Sequence, residues 1–362
     1  MPESIAAAVR RTVGDARRTA ALVLLAERGA PPLARLVDTL CRSGVPFLGG
    51  VFPGVVHGRS VHRSGAVVAA LPVSQPPRVV PRLAMGTSLD LGESPIPDGA
   101  TALVLLDGLS AGVGRFVSEL YRQLGATVSY VGGGAGSLSL EQRPCVFTAD
   151  GVHQDAAVLA FVDRRARLGV RHGWRYVHGP LLATRTSRNV IHQLDWRPAF
   201  EVYREIVAAD RGTAPERGDF FAVAKSYPFG ILHADGEPVI RDPIAVAGES
   251  DLVCVGEVPA NSSIGVFRGS REELIGAARD AAREATTERR DPRGATLIVD
   301  CVSRSIFLGD DGFRAELAAI ADELGDGPPA FGALTLGEVS AVGDRFVEFL
   351  NKTCVVATLH PR

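Results

Sequence analysis

Thr101-Ala-Leu-Val-Leu-Leu106, closed by Asp107-Gly108, is an apolar run of the length expected for a buried strand. After it, Val113, Phe116, Val117, Leu120, Tyr121 and Leu124 recur at helical spacing, with Arg115, Glu119 and Arg122 between them. A second apolar run, 126–131, breaks at Gly132-Gly-Gly-Ala-Gly136. Two more short runs follow, 144–148 and 156–162, with Asp150-Gly151 between them as a hairpin signal. The stretch predicts strand, helix, strand, glycine turn and hairpin.

The same order recurs on both sides. Residues 19–25 lead to a helical pattern over 32–42, then 45–48, Gly49-Gly50, the turn Pro53-Gly54 and the run 65–71. Residues 294–300 lead to a helical pattern over 313–324, then Phe331-Gly332, Gly337-Glu338 and the run 352–359. Glycine falls at the same place each time, about thirty residues after the first strand, the scale of one supersecondary unit. The expected fold is α+β, with mixed β-sheets flanked by helices and built from repeated strand–helix–strand–hairpin units. The chain divides at the polar stretch 210–219. Residues 1–212 hold two units plus a β extension, and 213–362 hold the third unit behind a β-rich segment, 220–267, and an alanine-rich helix over 272–289.

At 362 residues, 46% hydrophobic and 22% charged, the chain is an ordinary globular protein long enough for about two domains. A net charge of −2 gives no basic field for nucleic acid or acidic lipid. Five scattered cysteines with no CxxC pair read as free thiols. No apolar run is long enough to span a membrane, and charged residues interrupt the N-terminus where a signal peptide needs an apolar core, so the expected location is cytoplasmic. Of 39 basic residues only Lys225 and Lys352 are lysines, which singles both out.

Further motifs appear after residue 162. His172-Gly-Trp174, Gly179-Pro-Leu, Thr184-Arg185, Asn189-Val-Ile, Leu194-Asp195 and 198–204 (Pro-Ala-Phe-Glu-Val-Tyr-Arg) resemble the end of a FIST N-terminal domain. Ser226-Tyr-Pro-Phe-Gly230, Arg241-Asp-Pro243, Gly256-Glu-Val-Pro259, Arg268-Gly269, 300–304 (Asp-Cys-Val-Ser-Arg), Phe331-Gly332, Gly337-Glu338 and Asn351-Lys-Thr353 resemble a FIST C-terminal domain. The resemblance spans nearly the whole chain and implies a sensory module for small molecules such as amino acids, joined to or encoded near signalling proteins. It also implies, for a subset, a haem-based nitric-oxide sensor. This sequence departs from the pattern at Phe349-Leu350-Asn351, where a histidine often stands, and no output segment is recognisable, so the signal is expected to pass to a separate partner protein.

The densest set of candidate residues lies in the third unit. Cys301, Ser303 and Arg304 follow a strand directly, where open α/β sheets place ligand sites. Glu338 follows a glycine turn, and Asn351 and Lys352 precede the last strand. Arg304 can clamp a carboxylate, Glu338 can receive an ammonium and Asn351 can both donate and accept, a set suited to a zwitterion. The competing reading is a structural Arg304–Glu338 ion pair. Gly133 and Gly134 join the set because glycine there permits positive φ or close approach of a ligand or backbone. Under an enzyme alternative, Cys301 or Glu338 would act on an amino-acid-like substrate. No histidine spacing suggests zinc, so no metal or other cofactor is expected; under the haem alternative His172 is the candidate axial ligand.

Overall fold

The three apolar runs are strands, Thr19–Ala26, Thr101–Asp107 and Ala295–Cys301, in a computed structural model. It describes the whole chain except residues 15–17, 87–88, 92–94, 235–236, 287–293, 342–345 and 361–362. The turn expected at Asp235-Gly236 and the end of the helix expected over 272–289 lie outside the described residues.

Each first strand is followed by a helix, Leu33–Cys41, Val113–Leu124 or Val302–Leu324. A second strand then returns parallel to the first: Phe47–Phe52, Ser129–Ala135 or Phe331–Thr335. A parallel return requires a crossover, and an amphipathic helix provides one while covering the sheet's outer face. A third strand, Ala66–Pro72, Ala156–Val162 or Cys354–His360, lies antiparallel on the other side of the first. With a further sheet over residues 175–268, the architecture is α+β with mixed sheets.

What completes each of the three sheets comes from another part of the chain. The hairpin Gly54–His57 and Ser60–His62 pairs with Phe331–Thr335. The hairpin Val146–Thr148 and Gly151–His153 pairs with Phe47–Phe52, and Glu338–Ala341 with Val347–Leu350 pairs with Ser129–Ala135. The division expected between residues 212 and 213 therefore does not separate the sheets.

Strand alternation sorts each first strand into two cores. Leu22, Leu24, Leu103, Leu105, Leu297 and Val299 meet in one central core shared by the three sheets. Their neighbours Val23, Val104 and Ile298 face outward into separate cores that the helices cover.

Gly337, with φ 105°, does stand in a turn, between Phe331–Thr335 and Glu338–Ala341, but three other glycines expected at turns are not in turns. Gly49, Gly132 and Gly332 sit inside second strands, opposite Val23, Val104 and Ile298. A Cβ at these glycines would lie 2.4, 1.7 and 1.7 Å from the carbonyl oxygens of those three residues, so nothing larger fits. A second correction concerns Phe220–Ala224, expected as a strand but folded as a short helix. A five-residue apolar run has no period long enough to tell the two apart.

Candidate functional site

Cys301 is the last residue of its strand and the N-cap of the helix Val302–Leu324. Ser303 and Arg304 are thus in the first helical turn, not on the loop expected from sequence. Thr335 ends the neighbouring strand, Glu338 opens the hairpin beyond it, and Asn351 and Lys352 form the turn before Cys354–His360. Strand ends of two neighbouring sheets thereby gather Cys301, Ser303, Glu338, Asn351 and Lys352 in one region. Only Ser303 of these is half-exposed; the rest are buried.

Glu338 is fully buried. The Thr335 hydroxyl donates to its Oε1 at 2.8 Å and the Thr353 N–H to Oε2 at 3.3 Å. Burial pushes its pKa up to about 8, while Thr335, Thr353 and the adjacent Cys301 thiol only partly favour the anion. The shift favours the neutral acid over the anion, the opposite of what the receiver of an ammonium needs. The sign of the linkage follows. The folded carboxyl holds its proton above the ordinary 4.5, so its contribution to stability is complete below that value and is lost as pH rises through about 8. Melting temperature should fall between about pH 5 and pH 8, and Glu338→Gln should fall less steeply. Asp300, pushed to about 6 by burial and raised also by Glu338, adds a slope to both proteins that is no steeper in Glu338→Gln. Parallel curves for the two proteins would show that Glu338 does not carry this proton.

Cys301 lies 3.4 Å from the Ser303 hydroxyl, and burial with Glu338 beside it pushes the thiol up to about 12. It is therefore a thiol, not a thiolate nucleophile, at neutral pH. Ser303 in turn lies close enough to Asp242 to favour its anion, although burial dominates and raises the Asp242 pKa. Asp242 Oδ2 pairs with Lys352 Nζ at 3.1 Å. That nitrogen also donates to the Lys225 carbonyl at 2.9 Å and stands 4.8 Å from the centre of the Trp174 ring. Lys352 adopts φ 52°, an uncommon conformation for a non-glycine residue, and the Trp174 indole N–H donates to its carbonyl at 3.1 Å.

On the other side of this turn lies Arg241. Its Nε donates to the Glu257 carbonyl at 2.8 Å, and its Nη1 faces the Phe349 carbonyl at 3.1 Å and Asn351 Oδ1 at 3.4 Å. Burial lowers its pKa, and no carboxylate pairs with it among the described residues. Among the described residues two buried polar atoms here, Asn351 Nδ2 and Asp242 Oδ1, make no hydrogen bond of good geometry, although the Ser303 hydroxyl stands near the Asp242 carboxylate.

Arg304 belongs to a different cluster. Its Nε lies 3.1 Å from Asp300, its Nη1 donates to the His172 carbonyl at 2.6 Å, and its Nη2 donates to the Leu274 carbonyl at 3.0 Å and to Glu316. Burial alone would lower its pKa, but Glu316 and Asp300 outweigh that and raise it. The guanidinium is engaged by the protein, so it is neither a free carboxylate clamp nor an ion-pair partner of Glu338. The helix is broken at Gly309, where φ is 68°, and this break lets Glu316 fold back onto Arg304 beside Asp300 at the strand end, which accounts for the difference.

Gly133 and Gly134 have no positive φ and sit in a strand pressed against residues 335–337. A Cβ at Gly133 would come within 2.7 Å of Thr335 Cγ2, and one at Gly134 within 2.7 Å of Gly108 Cα and Leu336 O. They allow backbone to approach backbone. Gly133 and Thr335 also line a small apolar cavity of about 10 Å³ in the central core, room for about one water.

His172 does not fit an axial-ligand role. Its Nδ1 accepts the Trp174 N–H at 2.8 Å and its Nε2 lies 2.7 Å from Glu237, leaving no nitrogen for an iron. Among the described residues no three His, Cys, Asp or Glu side chains converge as a metal site.

The sequence that builds these elements matches a known family. The FIST N domain profile matches residues 19–197, and the FIST C domain profile matches residues 199–341. The chain is a member of the FIST family. A search of curated proteins finds no match. FIST domains are associated with signal transduction and small-ligand sensing. In this FIST protein the two profiles meet between the β extension and the helix Ala199–Arg211, and no helix among the described residues is long and apolar enough to cross a membrane. Sequence reasoning had given no role to Asp242, Arg241, Thr335 or Trp174. The signal for two of them was present in Arg241-Asp-Pro243, where adjacent opposite charges in an apolar strand require buried partners.

Proposed function

We propose that this FIST protein senses a small amino-acid-like metabolite at the region formed by Asp242, Asn351, Lys352, Ser303, Cys301 and Glu338, and that a separate signalling partner reads the bound state. The observation that carries this reading is the pair of buried atoms that make no hydrogen bond among the described residues, Asn351 Nδ2 and Asp242 Oδ1. Leaving a buried donor or acceptor unmade costs about 1–3 kcal/mol, so such atoms need an explanation. A zwitterion supplies the complement of both: a carboxylate for the amide N–H, and an ammonium for the aspartate oxygen. The neutral acid of Glu338 adds a donor in place of a second anion, and the cation of Arg241 beside Asn351 favours a carboxylate over a neutral group. Asp242 takes the role the sequence had offered to Glu338, and Asn351 with Arg241 takes that of Arg304.

The test is thermal denaturation against a panel of amino acids and simple carboxylates, with native mass spectrometry of the bound species. At least one compound should raise the melting temperature of the wild type, and the rise should vanish in Asp242→Asn and in Asn351→Ala. A wild type that responds to nothing in the panel, or a response that survives in both variants, would overturn the reading.

A further inference from the structure

In two of the three related sheets, an additional antiparallel strand covers the outer edge of the third strand. Arg78–Pro81 pairs with Ala156–Leu159, and Arg165–Arg171 pairs with Cys354–His360. The corresponding strand of the first sheet, Ala66–Pro72, pairs with Thr19–Leu25 on its inner side and has no strand on its outer side among the described residues. Burial follows the pairing. Ala156–Val162 is buried at every position, whereas Ala66 is exposed and 67–70 are only half-buried.

Backbone alternation identifies the open groups. Ala26 N–H donates to the Gly65 carbonyl at 3.0 Å and Val73 N–H to the Arg18 carbonyl at 2.8 Å, so the odd-numbered residues face the inner strand. The N–H and C=O groups of Ala66, Val68 and Ala70 therefore face outward, and no hydrogen bond to them is made by the described residues. The Pro72 carbonyl accepts the Asp163 N–H at 2.7 Å, which marks the end of the free edge. The helix Pro2–Val13 packs on one face of the strand through Ile5, Ala6, Val9 and Val13, but devices in the strand itself that protect an edge are missing: Ala66–Pro72 has no charged residue and no bulge, and its one proline is at the end.

We infer that this edge pairs with the same edge of a second copy of the chain, antiparallel across a two-fold axis. The two covered sheets show that an antiparallel strand is what the third-strand edge accepts. Self-pairing centred on Val68 sets Ala66 of one copy opposite Ala70 of the other, so that small uncharged residues meet and no like charges face each other. The outward groups of Ala66, Val68 and Ala70 are then all satisfied. The inference is independent of the ligand reading.

The test is the oligomeric state of the full chain by analytical ultracentrifugation, together with amide exchange. Proline at position 68 deletes an outward N–H and leaves the inner ladder intact. Wild type should be a dimer at micromolar concentration, Val68→Pro a monomer with an unchanged far-ultraviolet spectrum, and the Ala66, Val68 and Ala70 amides of wild type should exchange more slowly as concentration rises. A wild type that stays monomeric overturns the inference, and so does a dimer that survives Val68→Pro. Should Val68→Pro not fold, the exchange of these three amides in wild type decides alone: concentration-independent exchange rejects the interface.

Discussion

Arg304→Ala should cost about 3–5 kcal/mol of folding stability, seen as a lower midpoint in urea denaturation with or without any ligand. The side chain is fully buried and its guanidinium holds Asp300, Glu316 and the carbonyls of His172 and Leu274. Removing it leaves two carboxyls buried together with no cation. Both are pushed up by burial, Asp300 to about 6 and Glu316 well above its ordinary value, so this pair already retains protons that ordinary carboxylates release. Without Arg304 the two must stay protonated at higher pH still, so the deficit should grow as pH rises above neutral. A variant within about 1 kcal/mol of wild type would mean that the cluster relaxes at little cost, contrary to its burial.

Gly332→Ala and Gly132→Ala should each destabilise by about 3 kcal/mol or more, beyond the roughly 1 kcal/mol of an ordinary glycine replacement. The added Cβ would meet the Ile298 or Val104 carbonyl oxygen at 1.7 Å, and those oxygens belong to the central first strands. Neither strand can move away, because each is held on its far side by an antiparallel third strand. Gly276→Ala is the control, since that helical glycine has nothing within 4 Å of its Cβ position. Thermal melts of the three variants decide the matter: equal losses at 132, 332 and 276 would discard the close-approach argument.

Much of the fold was legible because its core strands are continuous apolar runs. Residues 101–106, 19–25 and 294–300 read as strands, and the pattern from Val113 to Leu124 as a helix, since period and burial agree there. The glycines misled for a physical reason. Permissive φ and absence of a side chain give the same letter, so a glycine that allows close packing inside a strand reads as a turn. For the candidate residues, position was more legible than contacts. Cys301, Ser303, Glu338, Asn351 and Lys352 do gather at strand ends, and Lys352 was marked by the scarcity of lysine. The role of Arg304 was hidden because two of its acceptors are carbonyls, of His172 and Leu274, which no side-chain pattern records. Asp300, four residues before it, was the one visible hint. The role of Glu338 depends on desolvation, which emerges only when the hairpin packs against Gly133.

The exchange of hairpins among the three sheets also sets an order in time. As the chain leaves the ribosome, the hairpin Gly54–His57 and Ser60–His62 is made before its pairing strand Phe331–Thr335, with the strands of two other sheets emerging in between. The sheet begun by Thr101–Asp107 likewise waits for Glu338–Ala341. Contacts so distant along the chain carry a large loop-closure cost and form late. The nascent chain must therefore carry unpaired strand edges until those later segments emerge, the state in which a β-rich chain is most exposed to wrong pairing and most in need of chaperones.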